Sequence, residues 1–112
     1  MTPTQLFLLG HPVAHSLSPV FQQAALDAAG LAVRYTARDT PPEALGETLR
    51  ELAARRAAGN VTIPHKEAVA AACSRLTRVA RQVGAVNTFW HDDAGALVGH
   101  NTDVVGARAA ID

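Results

Sequence analysis

The chain has 112 residues, ten basic and ten acidic, with no formal net charge at pH 7. A balanced charge excludes the basic footprint of a nucleic-acid or anionic-membrane binder, so neither partner is expected. The length fits one domain, and 48% apolar residues exclude a disordered chain.

Gln5 to Leu9 is an apolar run of strand length closed by Gly10, and Gly10 to Ser18 is a loop punctuated by Pro12 and Pro19. Ser18-Pro19 is a helix start, with serine as N-cap and proline at the first helical position. Val20, Phe21, Ala24, Ala25 and Ala28 share one helical face, and Gly30 ends that helix. Val33 to Arg38 follows as a strand. Thr40-Pro41-Pro42-Glu43 has capping-box spacing, with Leu45, Leu49, Leu52 and Ala53 as the apolar stripe of the next helix. Gly59 to Ile63 is a third strand, stopped by Pro64. Lys66 to Ala72 is helical, and Arg75 to Val83 is a second helix or its continuation. Val69, Ala72, Cys73 and Leu76 form their buried face. Ala85 to Trp90 is a strand, Asp92 to Gly95 a hairpin turn, and Ala96 to Gly99 the antiparallel return. A last helix starts near Thr102.

Strands alternating with helices define an α/β class: an open, twisted, mainly parallel mixed sheet with helices on both faces, three layers in all. Cys73 is the only cysteine and reads as a small core residue in a reducing compartment. Without a signal peptide or a membrane-length apolar run, the expected location is cytoplasmic. His11 and His15 are four apart but lie in a proline-bounded loop, and the other histidines are scattered, so no metal is expected. Ser16 beside His15 lacks the glycines of a nucleophile elbow.

Four segments carry small polar side chains just beyond strands. They are Gly10 to Pro19, Asn60 to Lys66, Gly84 to Thr88 and Gly99 to Asp103. Lys66 lies past the carboxyl end of a strand, the edge where open α/β sheets bind ligands. On residue type alone, Lys66 is a solvated lysine opening a helix, and Asp103 an acid favoured in a helix's first turn.

Read in order as HSxSP, NVTxPxK, GAVNT and GxNTD, these segments resemble the substrate-binding half of the shikimate dehydrogenases, from about Leu6 to Gly106. The resemblance implies reversible reduction of 3-dehydroshikimate to shikimate with NADPH, within chorismate and aromatic amino-acid biosynthesis. It implies Lys66 and Asp103 as catalytic residues that also touch the substrate. It also implies that Ser16 and Ser18 bind the carboxylate, that Thr62 and Asn87 bind ring hydroxyls, and that Asn60 braces the loops. The chain departs from the pattern in lacking the dinucleotide fingerprint GxGxxG. Residues 1–112 are therefore expected to be the substrate-binding domain alone, with the NADP-binding domain absent, no cofactor bound and no turnover. Arg78 stands where many members have an acid near the cofactor. The alternatives are a stand-alone small-acid binding module, or half of a quinate or aminoshikimate dehydrogenase. A purely structural dimerisation role leaves the four polar segments without a purpose. A homodimer is compatible with the sequence, and the resemblance implies NADP(H) as the cofactor of the full-length enzyme.

Overall fold

The computed structural model describes residues 5–13 and 18–102. Ser16, Asp103 and the helix expected after Thr102 lie outside them. The sheet is organised on β1 (Gln5–Gly10), which pairs in parallel with β2 (Arg34–Asp39) on one side and β3 (Ala58–Val61) on the other. Helix α1 (Ser18–Ala28) connects β1 to β2, and α2 (Leu45–Ala54) connects β2 to β3. Then come α3 (Lys66–Ala72), β4 (Arg75–Leu76), α4 (Arg78–Val83), β5 (Thr88–His91) and β6 (Leu97–His100). The six strands lie in the order β2-β1-β3-β5-β6-β4. The β4/β6 pair is parallel, and β3/β5 and β5/β6 are antiparallel, so the sheet is mixed and mainly parallel, as expected.

The continuous apolar run of β1 follows from burial on both faces. Phe7 and Leu9 point into a core with Leu49 and Leu52 of α2, Val69 of α3, Ala80 of α4 and Phe89 of β5. Leu8 points the other way, into a smaller cluster with Val13 and Tyr35, against which Leu26 of α1 packs. Full burial of one such aliphatic side chain contributes roughly 1.5–3 kcal/mol, so the α2–α4 face holds most of the apolar stabilisation. Gly59 lets β3 lie against β1, because a Cβ there would fall 1.9 Å from the Phe7 carbonyl oxygen.

The α2 stripe is as expected, with Leu45, Leu49 and Leu52 buried. Other local expectations are corrected. Val20 and Phe21 of α1 are 65% and 67% exposed, so the apolar face read from spacing is not the packed one. The helix is held instead through Leu26 and Gln23, whose amide donates to the Val33 carbonyl and accepts from the Tyr35 backbone N–H at 3.0 and 2.8 Å. Thr40 is not a helix cap. It is 1% exposed, its hydroxyl donates to the Arg38 carbonyl at 2.9 Å, and a short 3-10 turn (Pro42–Ala44) precedes α2. The expected helix at Arg75 to Val83 is instead a two-residue strand, Arg75–Leu76, followed by α4, whose N-cap Thr77 accepts from the Ala80 N–H at 3.3 Å. Arg75–Leu76 is a strand because it pairs with Val98 and Gly99, a partner no local pattern announces. Ala72 is exposed, and Ala70 takes its place in the core. β3 ends at Val61, two residues earlier than expected, because the His65 N–H turns back to the Thr62 carbonyl at 3.0 Å. β5 begins only at Thr88, since Val86 and Asn87 direct their N–H groups to Lys66 and His100. No helix among the described residues is long and apolar enough to cross a membrane.

Candidate functional site

The carboxyl ends of β1, β3 and β6 and the start of β5 lie at one edge of the sheet, and backbone hydrogen bonds tie the loops there together. The Thr62 N–H donates to the Leu9 carbonyl at 2.8 Å, and the His11 N–H donates to the Ile63 carbonyl at 3.0 Å. The glycine at position 10 is explained by this close approach. A Cβ there would lie 2.4 Å from Thr62 Cγ2 and 2.6 Å from Val13 Cγ1. Thr40 joins the same junction, with its N–H on the Gly10 carbonyl at 2.8 Å and its carbonyl accepting from Nε2 of the buried His65.

Lys66 is the first residue of α3, and its carbonyl accepts from the Val86 N–H at 2.9 Å. That bond fastens the lysine-bearing turn to the GAVNT segment. Asn87 is then held on every side. Its N–H donates to the His100 carbonyl at 3.0 Å, and its carbonyl accepts from the Val61 N–H at 2.9 Å. Its Oδ1 accepts from the Thr102 N–H and the Thr88 hydroxyl at 3.0 and 2.9 Å, and its Nδ2 donates to Thr102 Oγ1 at 2.8 Å. Because the Thr102 backbone nitrogen can only donate, this pattern also fixes which end of the amide is oxygen. Asn101 donates to the Ala85 carbonyl at 3.1 Å, closing the GxNTD segment onto GAVNT.

Thr62, Lys66 and Asn87 are thus brought to one edge from two separate segments, Asn60 to Lys66 and Gly84 to Thr88. Ser18 is the first residue of α1. Sequence reasoning missed Thr102, which grips Asn87, and Tyr35, whose phenol donates to Asn60 Oδ1 at 2.8 Å. A hydroxyl between an asparagine and an aspartate was the available signal for Thr102. Nothing local marks Tyr35.

The described histidines serve structure. His11 pairs with Asp39 at 2.9 Å, His91 donates to the Ala57 carbonyl at 2.6 Å, and His100 shares a 2.7 Å bond with Thr77. Among the described residues no cluster of metal-ligating side chains occurs. Burial pushes the Cys73 thiol up to about 11, the behaviour of an inert core cysteine. A hollow of about 550 Å³ lies at the opposite edge, lined by Gln5, Gln23, Asp27 and Arg34. The rim is marked by the convergence of its polar loops.

An open α/β sheet with polar loops gathered at its strand ends defines a small-molecule-binding domain of the parallel-sheet type. The chain belongs to the shikimate dehydrogenase substrate binding domain family, whose pattern matches residues 8–89. A shikimate dehydrogenase (NADP(+)) of Symbiobacterium thermophilum is 50% identical over 99 residues, 88% of this chain and 33% of that protein. The crystal structure of shikimate 5-dehydrogenase from Thermus thermophilus in complex with NADP(H) and shikimate superposes with a TM-score of 0.85. It is 44% identical, and the match covers 96% of this chain and 41% of that one. Shikimate 5-dehydrogenase from Listeria monocytogenes, in complex with shikimate and NAD, gives a TM-score of 0.89 at 33% identity, over 97% of this chain and 38% of its own. The chain spans about a third of the length of the Symbiobacterium relative (33%).

Proposed function

We propose that this chain is the substrate-binding and catalytic part of an NADP-dependent shikimate dehydrogenase, reversibly reducing 3-dehydroshikimate to shikimate. The observation that carries the proposal is the convergence of Thr62, Lys66 and Asn87 at one sheet edge, fastened by the Val61–Asn87 and Val86–Lys66 backbone bonds. Membership of the family supports it.

The protein must orient a hydroxylated ring, polarise one carbonyl and move one proton. The Lys66 ammonium donates that proton to the developing alkoxide, and the neutral amine takes it back in the reverse direction. Asp103 holds the amine and accepts from a neighbouring ring hydroxyl. Ser16 and Ser18 hold the substrate carboxylate, the latter at the start of α1, where an anion is favoured. Thr62 and Asn87 bind ring hydroxyls. The chain has no GxGxxG sequence, so its own residues make no dinucleotide cradle of that kind. The cofactor supplies the hydride, and its binding domain lies outside these residues in this proposal. The role in aromatic biosynthesis and a cytoplasmic location are proposed with the activity.

The test is the appearance of NADPH when the full-length gene product is given shikimate and NADP. Lys66→Ala should lower kcat by a hundredfold or more, about the size of a lost general acid–base group. A wild-type protein inert towards shikimate, or a Lys66→Ala variant of unchanged kcat, would contradict the proposal. Running quinate in parallel identifies the preferred acid.

A further inference from the structure

A polar chain crosses the α1 face of the sheet and ends on the substrate rim. It starts at Tyr35 on β2, a buried residue whose ring reaches over β1 to β3. Its hydroxyl donates to Asn60 Oδ1 at 2.8 Å. Asn60 Nδ2 lies 3.3 Å from the Asn87 carbonyl and 3.4 Å from Thr88 Oγ1. The Thr88 hydroxyl then donates to Asn87 Oδ1 at 2.9 Å. Each link is polar, half-buried or better, and none belongs to a backbone ladder.

The chemistry of the last link decides what Asn87 can do. A carbonyl oxygen has two lone-pair sites, and Asn87 Oδ1 uses both, for the Thr88 hydroxyl and the Thr102 N–H. One Nδ2 hydrogen goes to Thr102 Oγ1. Among the described residues the other has no partner. Asn87 can therefore meet a ligand only as a donor, and its natural counterpart is a hydroxyl or carbonyl oxygen. A ligand group that can only donate, such as a protonated amine, finds no acceptor on the Asn87 amide.

We infer that Thr88, braced by Asn60 and Tyr35, is a positioning residue that locks Asn87 in this donor-only state, and that Thr88 thereby sets affinity for an oxygen-bearing substituent of the substrate. The inference rests on Asn87 touching the substrate, as proposed above. Without the Thr88 hydroxyl, Oδ1 regains a lone pair and the amide loses one of its three restraints. The donor-only restriction is then relaxed.

The test uses the full-length gene product. Thr88→Val is isosteric and keeps the strand preference of β5. It should raise KM for shikimate about five- to tenfold, the scale of one hydrogen bond. KM for NADP should stay unchanged and kcat should shift far less than KM. Thr88→Ser restores the hydroxyl and should restore KM. Tyr35→Phe, which acts from the far end, should move KM in the same direction by about two- to threefold. An unchanged KM in Thr88→Val overturns the inference, as does a serine variant that behaves like valine. If Thr88→Val does not fold, an unchanged KM in Tyr35→Phe overturns it instead. Hydrogen exchange of the Asn87 side-chain amide gives a second readout that needs no turnover. It should be slow in wild type and Thr88→Ser and faster in Thr88→Val, and equal rates would refute the lock. A wild type without shikimate activity but with the expected exchange pattern leaves the lock standing and removes only its substrate.

Discussion

The two faces of the sheet contrast in what fills them. On the α2–α4 face, Leu9, Leu52, Val69 and Phe89 are almost wholly out of water and belong to one large apolar cluster. On the α1 face, among the described residues, Leu8, Val13 and Tyr35 form a smaller buried cluster, and a line of hydrogen bonds from Tyr35 to Asn87 runs beside it. Apolar burial is strong and non-directional, whereas hydrogen bonds contribute little net energy and fix direction well. The first face thus supplies stability, and the second aims the rim.

The sharpest way to break this comparison is to truncate each face and compare the losses. Leu52→Ala removes a fully buried side chain and should cost about 2–5 kcal/mol of unfolding free energy in a denaturant titration. Tyr35→Phe removes one hydroxyl from the other face and should cost about 1 kcal/mol while changing substrate KM. Equal losses on both faces, with no kinetic change from Tyr35→Phe, would erase the distinction.

A smaller stability effect with a large local consequence is expected at Gly10. A methyl there must displace Thr62 Cγ2 or Val13 Cγ1. Gly10→Ala should cost about 1–3 kcal/mol from overpacking and raise substrate KM through the displaced Thr62. A Gly10→Ala variant with wild-type KM would mean that Thr62 is not held by this junction.

The smallest effect concerns the apolar face and pH. Burial raises the Cys73 thiol from 9.0 to about 11 in the folded chain. A folded group that keeps its proton while the unfolded thiol loses it contributes a stability fully present below the unfolded value. That contribution falls away as pH climbs from about 9 towards about 11. The wild type should therefore lose stability relative to Cys73→Ala over that window and not below it. A flat difference across the window would show that the thiol ionises as easily folded as unfolded.

What was legible in the sequence follows the range of the interactions. The α2 stripe and the Asp92–Gly95 turn depend on neighbours a few residues away, and both were readable. The turn closes with the Gly95 N–H on the Asp92 carbonyl at 2.9 Å and the Ala94 and Ala96 N–H groups on Asp92 Oδ1. Thr40 looked like a helix cap because its partners, Gly10 and His65, are distant in the chain. Arg75–Leu76 looked helical because its strand exists only against Val98 and Gly99. The α1 face was misread because four alanine or valine positions outweighed one glutamine, yet Gln23 carries the bonds to β2. At the site, Thr62, Lys66 and Asn87 stood out as motif residues, whereas the grip of Thr102 on Asn87 required two segments to meet.

The most direct measurement of the central claim is a crystal structure of the full-length gene product with bound shikimate. The Lys66 ammonium, the Thr62 hydroxyl and the Asn87 Nδ2 should each lie about 3 Å from oxygens of the ring substituents, with the Asn87 oxygen still turned to Thr88 and Thr102. A ligand seated away from this edge, or a ring that leaves Lys66 out of hydrogen-bond reach, would contradict the account.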